Sequence, residues 1–184
     1  MRLLLVVAHP RGGSLTHRAA RAFAQAATAR GHVIDWADLM AEGFDPVLRA
    51  SDEPDWADPA KPWAADVRAE MARIEQSEAT VLVFPVWWWS MPAVLKGWID
   101  RVWAKDWAYG GRSYPHARVW ALAVVGASAA ATAEGGFDRV LERQIVDGIF
   151  RFCGVAEPRL ALLCDAAADA EGVVAEAARL GAAF

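Results

Sequence analysis

The chain has 184 residues, 55% of them hydrophobic and 23% charged, and carries a net charge of −4. That balance suits one compact domain over residues 1–184 and excludes a disordered chain or a coiled coil as the overall description. It has no basic stripe and no apolar run of membrane length, so neither nucleic acid nor a membrane span is expected, and a cytoplasmic protein is.

Residues 3–8 form a short continuous apolar run that stops at His9-Pro10-Arg11-Gly12-Gly13; Ser14 then opens an alanine-rich helix closed by Gly31. Residues 32–39 read as a second strand. The next segment, 40–63, is rich in Asp, Glu and Pro. It is long for a compact connection, and Phe44, Trp56 and Trp63 favour a lid, interface arm or binding element over a solvated loop. A helical pattern spans residues 66–77, and residues 79–86 are a third apolar run rich in Val, Leu and Phe. Pro92 then starts an amphipathic helix with Val94, Leu95, Trp98, Ile99 and Val102 at helical spacing. A fourth strand over 119–125, a helix over 137–152, a fifth strand over 159–164 and a closing helix over 172–180 complete the alternation. Cys153 and Cys164 sit in apolar segments without metal-ligand spacing and read as reduced core residues; no metal site is expected.

Strands that are apolar at every position need cover on both faces, which right-handed crossovers on a parallel sheet supply. The expected fold is therefore α/β: a flavodoxin-like three-layer sandwich around a five-stranded parallel sheet of order 2-1-3-4-5. Ligands of such sheets bind beyond the carboxyl ends of the strands, where the strand order reverses. The loops there are His9 to Ser14 and Pro85 to Ser90. The first, with Gly12, Gly13, Ser14 and Thr16 at a helix start, suits a phosphate or, equally, a simple N-cap. The second holds Trp87, Trp88 and Trp89, which cannot all face one side of a regular element. They read as the wall for a planar heterocycle, with core and interface filling as the alternative. The small residues at 125–131 would let backbone approach a ring. His17 and His116 read as solvated surface histidines rather than proton donors.

The stretches AHPRGGSLT, FPVWWWSMPAVLKGWIDRVW, DWAYGG and RFCGV, in this order and spacing, resemble the flavodoxin-like NAD(P)H:quinone oxidoreductases, from residue 2 to about residue 155. The most specific part is P-x-x-W-[WF]-x-x-P-A-x-L-K-G-W-x-[DE]-R-V. The resemblance implies a flavin, FMN or FAD with the length tilting toward FMN, reduced by NAD(P)H and reoxidised by a quinone or related acceptor in ping-pong fashion. It also implies a homodimer with sites at the interface. His9, Ser14, Leu15 and Thr16 would lie along the ribityl and phosphate portion. Val86, Trp87, Trp88 and Trp89 would line the isoalloxazine ring, Gly126, Ala127 and Ser128 would meet its opposite edge, and Tyr109 matches a tyrosine near the substrate. Thr16 stands where the family usually has Asn, Val125-Gly126-Ala127-Ser128 replaces a T-T-G-G loop, and the family's Tyr/His pair has no counterpart in residues 129–138. An electron-carrier or regulatory flavoprotein that acts on a partner protein is the alternative expectation.

Overall fold

The computed structural model describes residues 1–58 and 60–184; residue 59, inside the acidic segment, lies outside the described residues. Five parallel strands, β1 (Arg2–Val7), β2 (Val33–Asp38), β3 (Ala79–Pro85), β4 (Arg118–Val124) and β5 (Glu157–Leu163), form one sheet in the order β2-β1-β3-β4-β5. That is the order expected from the sequence. The helices are α1 (Leu15–Ala29), α2 (Ala65–Glu75), α3 (Ala93–Val102), α4 (Ala129–Glu134), α5 (Phe137–Leu141) and α6 (Ala170–Ala183).

Side chains of a strand alternate between faces, and here both faces are buried. Leu3, Leu5, Val7, Val81 and Val83 pack under α1 and α6, while Leu4, Val6, Leu82 and Phe84 pack under α2, α3 and α5. α1 and α6 approach so closely that a Cβ on Gly181 would lie 2.2 Å from the Phe23 carbonyl oxygen.

Two segments differ from the expectation. The small-residue run after β4 is a loop only as far as Ser128, where the Ser128 hydroxyl accepts from the Ala131 N–H (3.1 Å) and caps α4. A capping serine followed by consecutive alanines is a helix start, and high helix propensity outweighs the loop-like composition. The helix expected over 137–152 begins as α5 and continues over Glu142–Arg151 with wider π-type turns.

The acidic segment lies against α3. The buried Arg101 guanidinium binds Asp52 (Nε to Oδ2, 2.9 Å), Asp66 (Nη1 to Oδ2, 2.7 Å) and the Asp45 carbonyl (2.7 Å), and lies 5.5 Å from the Phe44 ring centroid. Gly97 lets the strap pass: a Cβ there would sit 2.1 Å from the Pro46 carbonyl oxygen. Burial by itself would push Asp52 upward, yet the Arg101 hydrogen bonds hold its carboxyl below the ordinary range. Among the described residues no helix is long and apolar enough to cross a membrane, and no cluster of His, Cys, Asp or Glu could hold a metal ion.

Candidate functional site

The loops after β1, β3 and β4 meet at the carboxyl end of the sheet because the ladder continues into them. Ala8 N–H donates to the Val83 carbonyl (3.1 Å), Val86 N–H to Val124 (2.8 Å) and Val125 N–H to Leu163 (2.9 Å). Between the second and third loops lies a cleft of about 280 Å³ lined by Val86, Trp88, Trp89, Val125, Gly126 and Ala127. Among the described residues the N–H groups of Trp88, Trp89, Gly126 and Ala127 find no backbone acceptor. A Cβ on Gly126, or on Gly12 or Gly13 of the first loop, would meet nothing within 4 Å, so these glycines leave open space beside the backbone. A larger hollow of about 520 Å³ runs along β5, but its walls are aliphatic and ionic (Leu160, Leu162, Asp138, Arg139, Glu142, Arg143) and it lies apart from these loops.

The three indoles go three ways. Trp87 and Ser90 exchange both backbone hydrogen bonds (3.0 Å each), closing a two-residue hairpin with φ of 52° at Trp88 and 53° at Trp89. Such turns normally use Asn-Gly, since a left-handed residue with a Cβ costs about 1–2 kcal/mol. The half-exposed Trp87 ring leans toward His9, with centroids 5.8 Å apart, and joins the second loop to the first. Trp88 is 99% exposed. Trp89 stacks on Phe137 of α5 at 3.7 Å and 1°, and the Ser90 hydroxyl donates to Gln144 Oε1 (3.1 Å), so α5 and its continuation brace the turn.

In the first loop Ser14 caps α1: its Oγ accepts from the His17 N–H at 3.3 Å. Arg11 N–H donates to His9 Nδ1 (3.0 Å), which leaves the neutral ring's proton on Nε2, where it has no protein acceptor among the described residues. Burial, and then the nearby Arg11 charge, hold His9 below the ordinary histidine range. Thr16 is 2% exposed, yet its hydroxyl has no protein partner among the described residues. A free hydroxyl, a free imidazole N–H and the first N–H groups of a fifteen-residue helix, all in one place, make an anion-binding arrangement.

The structure brings together His9, Ser14, Leu15 and Thr16 in the first loop, Val86 to Trp89 in the second, and Gly126 to Ser128 in the third. It does not bring Tyr109 to them. Tyr109 packs against Phe152 (5.5 Å), near Tyr114, whose hydroxyl meets Thr80 at the start of β3 (2.7 Å); this is the opposite end of the sheet.

Neither histidine is a surface residue. His17 is 1% exposed and bonded to Ser14 and Asp38; His116 is buried between Thr80 (2.8 Å) and the Ile74 and Ser77 carbonyls (2.9 Å each). Asp38 lies 21 residues from His17 and the three partners of His116 lie 36 to 42 residues away, so apart from Ser14, three residues before His17, no local pattern announces the burial. Phe137 and Asp38 also belong to the site's surroundings without a motif that marks them; the only local signal is an aromatic opening α5 for the first and a carboxylate at the end of β2 for the second.

A family model described as flavodoxin-like fold matches residues 1–183. The chain is 36% identical over 168 residues to the uncharacterized NAD(P)H oxidoreductase YcaK of Escherichia coli, covering 89% of this chain and 84% of that one. It is 28% identical over 185 residues to NAD(P)H dehydrogenase [quinone] 1 of Rattus norvegicus, covering 86% and 68%. Among solved structures, the NAD(P)H:quinone oxidoreductase from Methanothermobacter marburgensis superposes with a TM-score of 0.91 at 25% identity, over 99% of this chain and 94% of that one.

Proposed function

The chain belongs to the flavodoxin-like fold family, and from that membership we propose that it is a flavin-dependent NAD(P)H oxidoreductase that reduces quinones or related electron-poor acceptors. The observation that carries the reading is the cleft of Val86, Trp88, Trp89 and Gly126 with its free backbone donors, joined through the Trp87–His9 contact to the anion-binding helix start of the first loop. A flavin has the same two parts, a planar ring with a polar edge and a phosphate.

The residues present fit that group. Ser14, Leu15, Thr16 and His9 would hold the phosphate and ribityl chain, and the free N–H groups of Trp88, Trp89, Gly126 and Ala127, with Ser128, would bind the ring's polar edge. Val86 and the tryptophans would cover the ring and exclude water. The bound flavin supplies hydride transfer between the nicotinamide and the acceptor. Backbone donors held in place by the turn and the sheet stabilise negative charge at low reorganisation cost. FMN rather than FAD is the form we assign, since the first loop accounts for one phosphate and nothing further identifies an adenosine pocket.

We assign a homodimer on the exposure of Trp88 and the distance of Tyr109 from the loops, because a second copy could cover the first and bring its own tyrosine to the substrate. The relatives' names favour the enzyme over the electron carrier.

The test is direct. Purified protein should be yellow or become so with FMN, and should oxidise NADH or NADPH with a quinone in parallel double-reciprocal lines. Protein that stays colourless with FMN and FAD, or intersecting lines showing both substrates bound together, would overturn the reading.

A further inference from the structure

We infer that His17, held by Asp38, is a positioning residue that turns the Ser14 hydroxyl toward a bound phosphate and takes up one proton when the phosphate arrives. The inference rests on the flavin-binding reading and adds to it a link between phosphate affinity and pH.

The three groups form a continuous chain from the end of β2 to the first loop: Ser14 Oγ to His17 Nδ1 is 2.9 Å and His17 Nε2 to Asp38 Oδ2 is 2.7 Å. A carboxylate only accepts, so His17 Nε2 carries a proton and donates to Asp38. With the ring neutral, Nδ1 is an acceptor and the Ser14 O–H must point inward at it. The same Ser14 oxygen already accepts from the His17 N–H, so the hydroxyl has nothing to offer an anion outside. Adding a proton to Nδ1 reverses this. Nδ1–H then donates to Ser14 Oγ, and the Ser14 proton is freed for a phosphate oxygen. The imidazolium formed is balanced by Asp38, whose other oxygen accepts from the Ala41 N–H (3.2 Å).

The surroundings leave this proton to His17. His9 lies edge-on at 6.2 Å; Arg11 is beside His9 in the first loop. On α1, Arg18 pairs with Glu171 of α6 (2.5 Å) and Arg21 donates to the Gly12 carbonyl (3.0 Å). Glu42 accepts from the Asp38 N–H (3.2 Å) and pairs with Arg73 of α2, and the Trp36 ring of β2 covers His17 at 6.4 Å. Ser, His and Asp in this order of contact also occur in serine hydrolases. Here the serine is 7% exposed and its oxygen caps a helix, which fits a donor being oriented and not a nucleophile.

The experiment is calorimetric titration of flavin-free protein with FMN and with riboflavin at about pH 7.5, in two buffers of different ionisation enthalpy. At that pH the FMN phosphate is already fully ionised, its second pKa being about 6. FMN should bind with uptake of up to one proton and riboflavin with none. The FMN Kd should rise by up to about tenfold per pH unit across the range where imidazoles titrate. His17→Gln should abolish the uptake and flatten the profile, and Asp38→Asn, which keeps the ring and removes its counter-charge, should reduce both. Equal uptake for FMN and riboflavin, or uptake that persists in His17→Gln and so belongs to His9, would overturn the inference and leave flavin binding standing. Failure of both flavins to bind would overturn flavin binding and this inference with it.

Discussion

Two groups of tryptophans lie within one short stretch and do opposite things. Trp98 and Trp103 on and just after α3 are buried: Trp98 Nε1–H donates to Glu70 Oε2 (2.8 Å), and Trp103 stacks on Tyr114 at 3.9 Å. Trp87, Trp88 and Trp89 sit on a strained turn with one ring wholly in solvent. A buried indole adds stability in proportion to the area it hides, which at Trp103 outweighs an N–H that is buried without a partner among the described residues. An exposed indole on a left-handed residue costs stability in the unliganded chain, so its presence points to something it meets later. Residue type alone therefore says little here; position relative to the sheet decides.

The largest test of that contrast is Trp98→Ala, which should cost about 3–5 kcal/mol in denaturant unfolding. Arg101→Ala should cost a similar amount, because it leaves Asp52 charged, buried and unpaired. Neither residue touches the cleft, so whatever fraction stays folded should still bind flavin.

The turn should respond with the opposite sign. Replacing Trp88-Trp89 by Asn-Gly supplies the residues a two-residue hairpin prefers and relieves about 2–4 kcal/mol of left-handed strain, less the lost Trp89–Phe137 stacking. The thermal midpoint should rise, and flavin should be lost. A lower midpoint would mean that the stacking outweighs the strain. Trp88→Ala separates the two effects. Alanine suffers the same left-handed cost and the ring touches little, so stability should move by less than about 0.5 kcal/mol, whereas flavin affinity should fall by about 0.5–1.5 kcal/mol, two- to tenfold in Kd.

The smallest expected effect is a pH slope from His116. Its burial disfavours the imidazolium and lowers its pKa below the ordinary histidine value of about 6.5. Below that value the unfolded chain takes up a proton that the folded chain resists, so stability is full above it and is lost as pH falls toward the folded pKa. Urea midpoints at about pH 7.5 and pH 5.5 should differ by less in His116→Gln than in the unaltered protein. The slope remaining in the variant would include His9, which burial lowers in the same direction. Carboxylates held down by arginines, such as Asp35, add their losses only at more acidic pH.

Much of the site could be read from the chain because it depends on local pattern. The apolar runs set the strands, helical spacing set α3, and the parallel order placed the loops after β1, β3 and β4 at one end of the sheet. Ser14 could be read as a cap and the tryptophan run as a wall on these grounds. The short α4 is equally local, since Ser128 before three alanines is a capping serine at a helix start.

What the chain by itself determined is the fold and the set of loops that line the cleft, since strand and helix periodicity are properties of neighbours in sequence. What only the tertiary structure decided is the direction and partner of each side chain. His17 is buried because Asp38 arrives from another strand, Trp89 is covered because Phe137 arrives from α5, and Gly97 is required because Pro46 crosses over α3. Such contacts join residues with no local correlation, and only the packed sheet brings them within hydrogen-bonding or van der Waals distance.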